Sequence, residues 1–138
     1  MAGKDLARMT HFQYLEDVDA VLGVIEGDLS FQKYKESVSD LMTYSQYKPG
    51  RNVIWDLRGA SSKSLTSEHI RSVASYAKTL DGARGKWKAV LVVPNLVELG
   101  LARMFEAWLD DAPFSLKICY TLEEAKAWVR SGDQTGGN

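Results

Sequence analysis

Short apolar runs alternate with longer amphipathic segments along most of this chain, and this alternation is the feature that most restricts its fold. Residues 53–57 and 89–93 are runs of mostly large apolar side chains, typical of strands that are buried on both faces. A segment with helical spacing of apolar residues follows each run. Strands that alternate with helices of about 10–15 residues predict right-handed crossovers and a mostly parallel sheet.

Two further β-prone runs come before this alternating part. Residues 11–15 and 21–26 are joined by a short link that contains residues 16–19, which predicts an antiparallel hairpin. The expected order is therefore β-β-α-β-α-β-α-β-α. We predict an α/β fold: one domain over residues 1–130, with a mixed, mostly parallel five-stranded sheet, an antiparallel N-terminal edge hairpin and four helices. Residues 131–138 are polar and rich in glycine, and are expected to be a disordered tail.

Composition limits the classes of protein to consider. The 138 residues include one cysteine, Cys119, which excludes an internal disulfide and is expected to be a small buried apolar residue. The N-terminus M-A-G-K-D-L-A-R lacks the apolar core of a signal peptide. Every apolar run is far shorter than the ~18 residues of a membrane span. We therefore expect a soluble cytoplasmic protein with no integral membrane segment.

Charge is distributed unevenly along the chain. Nine basic residues against three acidic ones lie between Lys48 and Lys88, although the net charge is -1. This is either scattered solvated charge or a mildly positive face that suits an anionic ligand or an acidic partner. The charge is too dilute to predict nucleic-acid binding. His11, His69 and Cys119 lack the spacing of metal ligands, so neither a metal nor another cofactor is expected.

A short polar segment follows residues 53–57, and the expected start of a helix comes directly after it. In an open α/β sheet, ligands and partners gather at the carboxyl ends of the strands. A phosphate at a helix N-terminus meets unpaired N–H groups, to which Arg58 and Lys63 would add charge. Alternatively, the hydroxyls only cap the helix. The candidate residues for a ligand, phosphate or partner turn are Asp56, Arg58, Ser61, Ser62, Lys63, Ser64, Thr66 and Ser67.

Residues 96–109 form a helical segment that is more apolar than a surface helix needs. Glu98, Arg103 and Glu106 share one polar sector at about 100° per residue. Leu101 and Trp108 lie centrally in the apolar sector and are expected to pack on the sheet. The margins of that sector are covered by neighbouring elements, form a dimer surface or line an apolar cavity. The residues expected at this interface or cavity are Leu96, Leu101, Phe105 and Leu109.

Three segments carry a resemblance to a known family: V-I-W-D-L-R-G-A after the first helix, L-A-R-M-F-E-A-W-L, and the terminal T-L-E-E-A-K-A-W-V. Over residues 10–130, these segments and the element order resemble the SpoIIAA-like group of the STAS-like superfamily, small bacterial proteins related to anti-sigma factor antagonists. The resemblance implies a STAS-like fold. Because these proteins share some fold similarity with CRAL-TRIO lipid-binding domains, it also makes an apolar ligand conceivable.

The phosphorylated turn of the true antagonists resembles D-L-S-G-V-x-x-x-D-S-S-G. Asp56, Leu57 and Gly59 match this pattern, but Arg58 replaces the first serine. Leu65 falls where the phosphorylated serine lies. The phospho-acceptor is therefore absent in register, and the family's switch cannot be carried over to a particular serine of this chain.

The leading hypothesis from the sequence is a non-enzymatic regulatory or protein-interaction domain that forms a homodimer and binds an unidentified protein partner. The alternative is a small carrier of an apolar, lipid-like molecule or of an anionic one. A serine hydrolase is remote, because G-A-S-S-K places Lys63 where the nucleophile elbow requires glycine, and no base and orienting acid accompany the serines.

Overall fold

The computed structural model describes residues 10–84, 87–109 and 115–131. The strands are β1 (Thr10–Leu15), β2 (Ala20–Asp28), β3 (Asn52–Ser61), β4 (Lys88–Val92) and β5 (Ser115–Cys119). The helices are α1 (Phe31–Thr43), α2 (Ser67–Arg84), α3 (Leu96–Trp108) and α4 (Leu122–Arg130). The expected tail, from residue 132 onward, lies outside the described residues.

The five strands form one mixed sheet in the order β1-β2-β3-β4-β5. β1 pairs with β2 in antiparallel orientation, and the remaining neighbours are parallel. The predicted α/β class, the N-terminal hairpin and the four helices are thereby confirmed. Because successive strands are also neighbours in the sheet, the three helices between parallel strands can lie side by side on one face.

The two faces of the sheet carry different layers. On one face, Val21, Val53 and Trp55 belong to the core that α1 closes with Leu41. On the other face, α4 packs Ala125, Trp128 and Val129 against the second core, which includes Ile54, Val90, Val92 and Cys119. The alternation of side chains along each strand explains this division, since Val53 and Ile54 point in opposite directions. The expectation that Cys119 is a buried apolar residue is confirmed.

Side-chain caps define where the helices begin. Ser30, Asn95 and Thr121 accept hydrogen bonds from the backbone N–H groups of Lys33, Glu98 and Glu124, at 3.0, 3.1 and 3.1 Å. Serine, asparagine and threonine are preferred at this position because their short side chains can accept a hydrogen bond from the free N–H groups of the first turn.

The N-terminus of α2 has a less common reciprocal cap. Thr66 Oγ1 accepts the N–H of His69 at 3.1 Å, and His69 Nδ1 accepts the N–H of Thr66 at 3.3 Å. His69 is exposed in the first turn of α2.

β3 extends further than the sequence pattern predicts. The expected strand over residues 53–57 continues to Ser61 and pairs with the end of β2. Val24 pairs with Asp56 and Glu26 pairs with Gly59, so β3 contains one more residue than β2 between these two pairs. Such a bulge changes the face to which the following side chains point. The predicted polar turn therefore begins only at Ser62.

Candidate functional site

A cavity of about 150 Å³ lies between the sheet and helices α1, α2 and α3. Its wall is mostly apolar, with Trp55 and Leu91 from the sheet, Val38 from α1, and Leu101 and Phe105 from α3. The cavity is partly open to solvent, so a small molecule can reach it.

Short side chains are what leave this space open. Ala77 of α2, Ala89 of β4 and Ala102 of α3 all line the cavity, and each is buried. Larger side chains at these three positions would fill the space between the helices and the sheet. The sequence pattern therefore places the helices over the sheet without filling the volume between them.

Three polar residues line the cavity where strands end and helices begin. Ser30 follows β2 and caps α1, Ser62 follows β3, and Glu98 lies in the first turn of α3. In a parallel sheet, the carboxyl ends of the strands and the N-termini of the following helices meet at one edge. The cavity therefore has a polar rim at the edge where ligands of α/β proteins bind.

Helix α3 is rotated relative to the expectation from its sequence. The inward stripe is Glu98, Leu101, Ala102, Phe105 and Leu109, at spacings of three, four, seven and eleven residues from its first member. Leu101 and Phe105 line the cavity, while Leu109 is buried beside Ala74 and Ala77 of α2. The side chain of Leu96, which begins the helix, lies outside the described residues.

The expectation that Trp108 packs on the sheet is wrong. Its side chain is 40% exposed, and the Arg71 guanidinium carbon lies 4.4 Å from its ring centroid. Trp108 therefore flanks α2 instead of facing the core. Glu98, assigned to the polar sector from the sequence, lies on the inward stripe.

The serine-rich turn is divided between several local roles. Ser61 Oγ accepts the N–H of Lys63 at 3.3 Å, and the Ser61 carbonyl accepts the N–H of Leu29 at 2.8 Å. Thr66 caps α2, and Ser67 begins it. Lys63 and Ser64 are exposed, whereas Ser62 turns into the cavity.

Arg58 forms an ion pair with Asp56. Its Nε donates to Oδ1 and its Nη2 donates to Oδ2, both at 2.9 Å, while its backbone N–H donates to Oδ1 at 3.1 Å. Asp56 thereby satisfies a backbone donor at the bulge in β3. Arg58 is thus held in a bidentate pair with Asp56. The expected cationic contribution of Arg58 to an anion site stays a prediction.

Comparisons with protein-family models, with curated proteins and with solved structures find no match. The SpoIIAA-like resemblance therefore stays a prediction that rests on the three segments given above. The cavity and its rim carry the functional argument by themselves.

The Asp56–Arg58 pair predicts a pH dependence of stability. Hydrogen bonds from Arg58 hold the pKa of the Asp56 carboxyl below its ordinary value, against the opposing effect of burial. The contribution is thus fully present above pH ~4, the ordinary value for aspartate, and is lost as the pH falls through the lower folded-state pKa. We expect Asp56→Asn to cost about 1–2 kcal/mol at neutral pH, because the guanidinium is partly exposed to solvent.

Urea titrations across the acid range measure this effect. The difference in unfolding free energy between the parent and Asp56→Asn should shrink as the pH falls below ~4. Asp28→Asn, at an exposed position at the end of β2, is the matched control and should leave stability unchanged. A deficit of Asp56→Asn that is independent of pH would contradict this account.

Other chemistry-bearing residues have structural contacts. Burial raises the pKa of the Cys119 thiol, and its Sγ donates to the carbonyl of Thr121 at 3.4 Å. Among the described residues, no group of three or more His, Cys, Asp or Glu side chains is placed to hold a metal ion. None of the helices within the described ranges has both the length and the apolar character needed to cross a bilayer.

Sequence reasoning missed part of the cavity wall. Glu98, Ala102, Trp55 and Trp87 line the cavity, and none of them was a candidate. Helical spacing could have indicated Glu98, because it lies three, four and seven residues before Leu101, Ala102 and Phe105 and so shares their side of the helix.

Proposed function

We propose that this chain is a non-enzymatic binding domain that holds a small apolar molecule between its sheet and helices α1–α3. The observation that carries the proposal is the cavity of about 150 Å³ with its mostly apolar wall. An engineered apolar cavity of about 150 Å³ in another protein stays free of water and binds benzene. The space here thus fits a compact hydrocarbon group of about that size.

The exposure of an apolar wall also supports this function. Because the cavity is partly open to solvent, apolar side chains of its wall stay in contact with water, which is unfavourable. An apolar ligand removes this surface from water and adds contacts with the wall, so binding should raise the stability of the fold.

Tryptophan positions offer a direct test of where a ligand binds. Trp55 and Trp87 line the cavity, whereas Trp128 lies in the core on the opposite face of the sheet. In ¹⁵N-resolved NMR spectra, toluene should shift the indole N–H signals of Trp55 and Trp87 and leave that of Trp128 in place. Equal shifts of all three signals, or none at saturating toluene, would reject the cavity as the binding site.

A cavity-filling substitution should separate binding from stability. Ala102→Leu adds three carbon atoms at a buried position on the cavity wall. We expect it to raise the unfolding free energy by about 1 kcal/mol, because buried carbon gains more than the strain costs. It should also weaken toluene binding at least tenfold.

Ala107→Leu is the matched control for this substitution. It makes the same change on the same helix, at an exposed position, and should alter neither stability nor toluene affinity. Toluene binding that survives Ala102→Leu at full strength would contradict the proposal.

The leading hypothesis from the sequence, a regulatory domain acting through protein contacts, stays a prediction, as does the homodimer. Trp108, at 40% exposed, and the neighbouring Ala107 form the outward side of α3, which is the side of this helix open to a second copy. Leu101, Phe105 and Leu109 face inward and are not part of that surface.

A further inference from the structure

The polar rim of the cavity restricts the chemistry of the ligand's head group. We propose that the bound molecule carries a single hydrogen-bond-donating head, a primary ammonium or a hydroxyl, which Glu98 and Ser62 hold at the rim. This inference rests on the proposed function, because it describes the polar end of the same ligand.

Ser62 is the first observation. Its side chain lines the cavity, and the residue is only 5% exposed. Within the described part of the chain, its hydroxyl has no hydrogen-bond partner, although its backbone carbonyl accepts the N–H of Leu65 at 2.9 Å. The hydroxyl is therefore available to a polar atom of a ligand in the cavity, and it can donate or accept that hydrogen bond.

Glu98 is the second observation. It is half-buried on the inward stripe of α3, and among the described residues that line the cavity it is the one that carries a charge. No ion pair or hydrogen bond to its carboxylate is found in the described ranges. The N-cap does not require this carboxylate, because Asn95 already accepts the N–H of Glu98.

These two groups determine which head is accepted. An ionised carboxylate can only accept hydrogen bonds, whereas a serine hydroxyl both donates and accepts. A ligand ammonium or hydroxyl donates to Glu98, and the charge-assisted bond from an ammonium is the stronger. A ligand carboxylate would instead face Glu98 with like charge. The rim therefore selects against fatty-acid-like anions and favours small apolar amines and alcohols.

Four probes that share one ring test this selection: benzylamine, benzyl alcohol, benzoate and toluene. Titrated into the full chain at pH 7 and followed by the Trp55 and Trp87 indole signals, benzylamine should bind at least tenfold more tightly than benzoate. Benzyl alcohol should lie between them. Glu98→Gln should weaken benzylamine binding about tenfold, as loss of a charge-assisted hydrogen bond does, and leave toluene binding unchanged.

Ser62→Ala provides a second test that does not depend on Glu98→Gln folding. It should weaken benzyl alcohol binding several-fold at unchanged toluene affinity. Glu106→Gln is the matched control, since the Glu106 carboxylate pairs with Arg103 at 3.2 Å and does not line the cavity. It should leave the order of the probes unchanged.

The outcomes distinguish the head-group inference from the proposed function. Toluene binding combined with equal affinities for the three polar probes, or with benzoate the tightest, overturns the head-group inference and leaves the binding function standing. Absence of binding by all four probes overturns both. An amine preference that persists in Glu98→Gln and in Ser62→Ala also overturns the assignment of the head group to these residues.

Discussion

Replacing Gly23 by alanine is expected to destabilise the fold by about 2–3 kcal/mol, the range typical of overpacking in a core. Gly23 lies in the middle of β2, where alanine normally gains stability over glycine. Here an added Cβ would lie 2.7 Å from Cζ3 and 2.8 Å from Cε3 of Trp55, and 3.0 Å from Cε1 of Phe12. Both rings are rigid. Phe12 is further held by stacking on Tyr44 at a centroid distance of 5.5 Å.

Gly100→Ala is the matched control, with an effect of opposite sign. Gly100 is exposed in α3, and nothing lies within 4 Å of its added Cβ. Alanine there should raise the unfolding free energy by about 0.5–1 kcal/mol through helix propensity alone. Urea denaturation of both variants measures the contrast. If Gly23→Ala were neutral, the close approach of Trp55 would not restrict this position.

A double-mutant cycle identifies the contact responsible. Trp55→Phe removes the fused ring that carries Cζ3 and Cε3, so Gly23→Ala should cost less in that background than in the parent chain. Because Trp55 also lines the cavity, Gly23→Ala should in addition change the toluene affinity. If the Trp55 ring moves into the cavity to relieve the steric conflict, toluene should bind more weakly. If the substitution only weakens the strand locally, toluene affinity should stay unchanged.

The fold could be predicted from the sequence because its signals are local. Apolar runs, which predict the strands and helices, depend on neighbours a few residues away, as do capping residues such as Asn95 and Thr121. The extent of β3 depends on pairing with β2 beyond a bulge. No local pattern shows that Ser61 continues a strand, since the stretch rich in glycine and serine reads equally well as a turn.

The site could be predicted only in part, because it depends on which side of α3 faces the sheet. Leu101 and Phe105 were expected at an interface or cavity, and both line the cavity. The most apolar sector of α3 does not point to the sheet, since α2 covers one flank through the contact between Arg71 and Trp108. This rotation brings Glu98 inward, and helical periodicity alone cannot supply it.

The cavity itself lies beyond what a sequence pattern shows. Ala77, Ala89 and Ala102 are ordinary residues for a helix or a strand, and each matches a core position. The volume arises because they meet in three dimensions around the same point. Packing between distant elements, and not any one segment, determines whether such positions close or remain open.

Replacing Lys88 by glutamate is expected to abolish folding. Lys88 is 3% exposed at the start of β4, and its Nζ donates to the carbonyls of Trp128 and Val129 at 3.1 and 3.4 Å, at the end of α4. Its Nζ also lies 4.9 Å from the Trp128 ring centroid. An ammonium fits the negative end of a helix, whereas a buried carboxylate facing carbonyl oxygens is unpaired and repelled. The loss should exceed about 4 kcal/mol, a large part of a domain's total stability.

Lys88→Met separates the loss of the ammonium from the introduction of the wrong charge. Methionine keeps an unbranched apolar side chain and removes the charged donor, so we expect a cost of about 2 kcal/mol, between the parent and the glutamate variant. Lys63→Glu makes the same charge reversal at an exposed turn position and should leave the urea midpoint nearly unchanged. Desolvation of a buried ammonium opposes the gain from its hydrogen bonds. A methionine variant as stable as the parent would therefore mean that the two effects cancel, and that Lys88 orients the end of α4 without adding net stability.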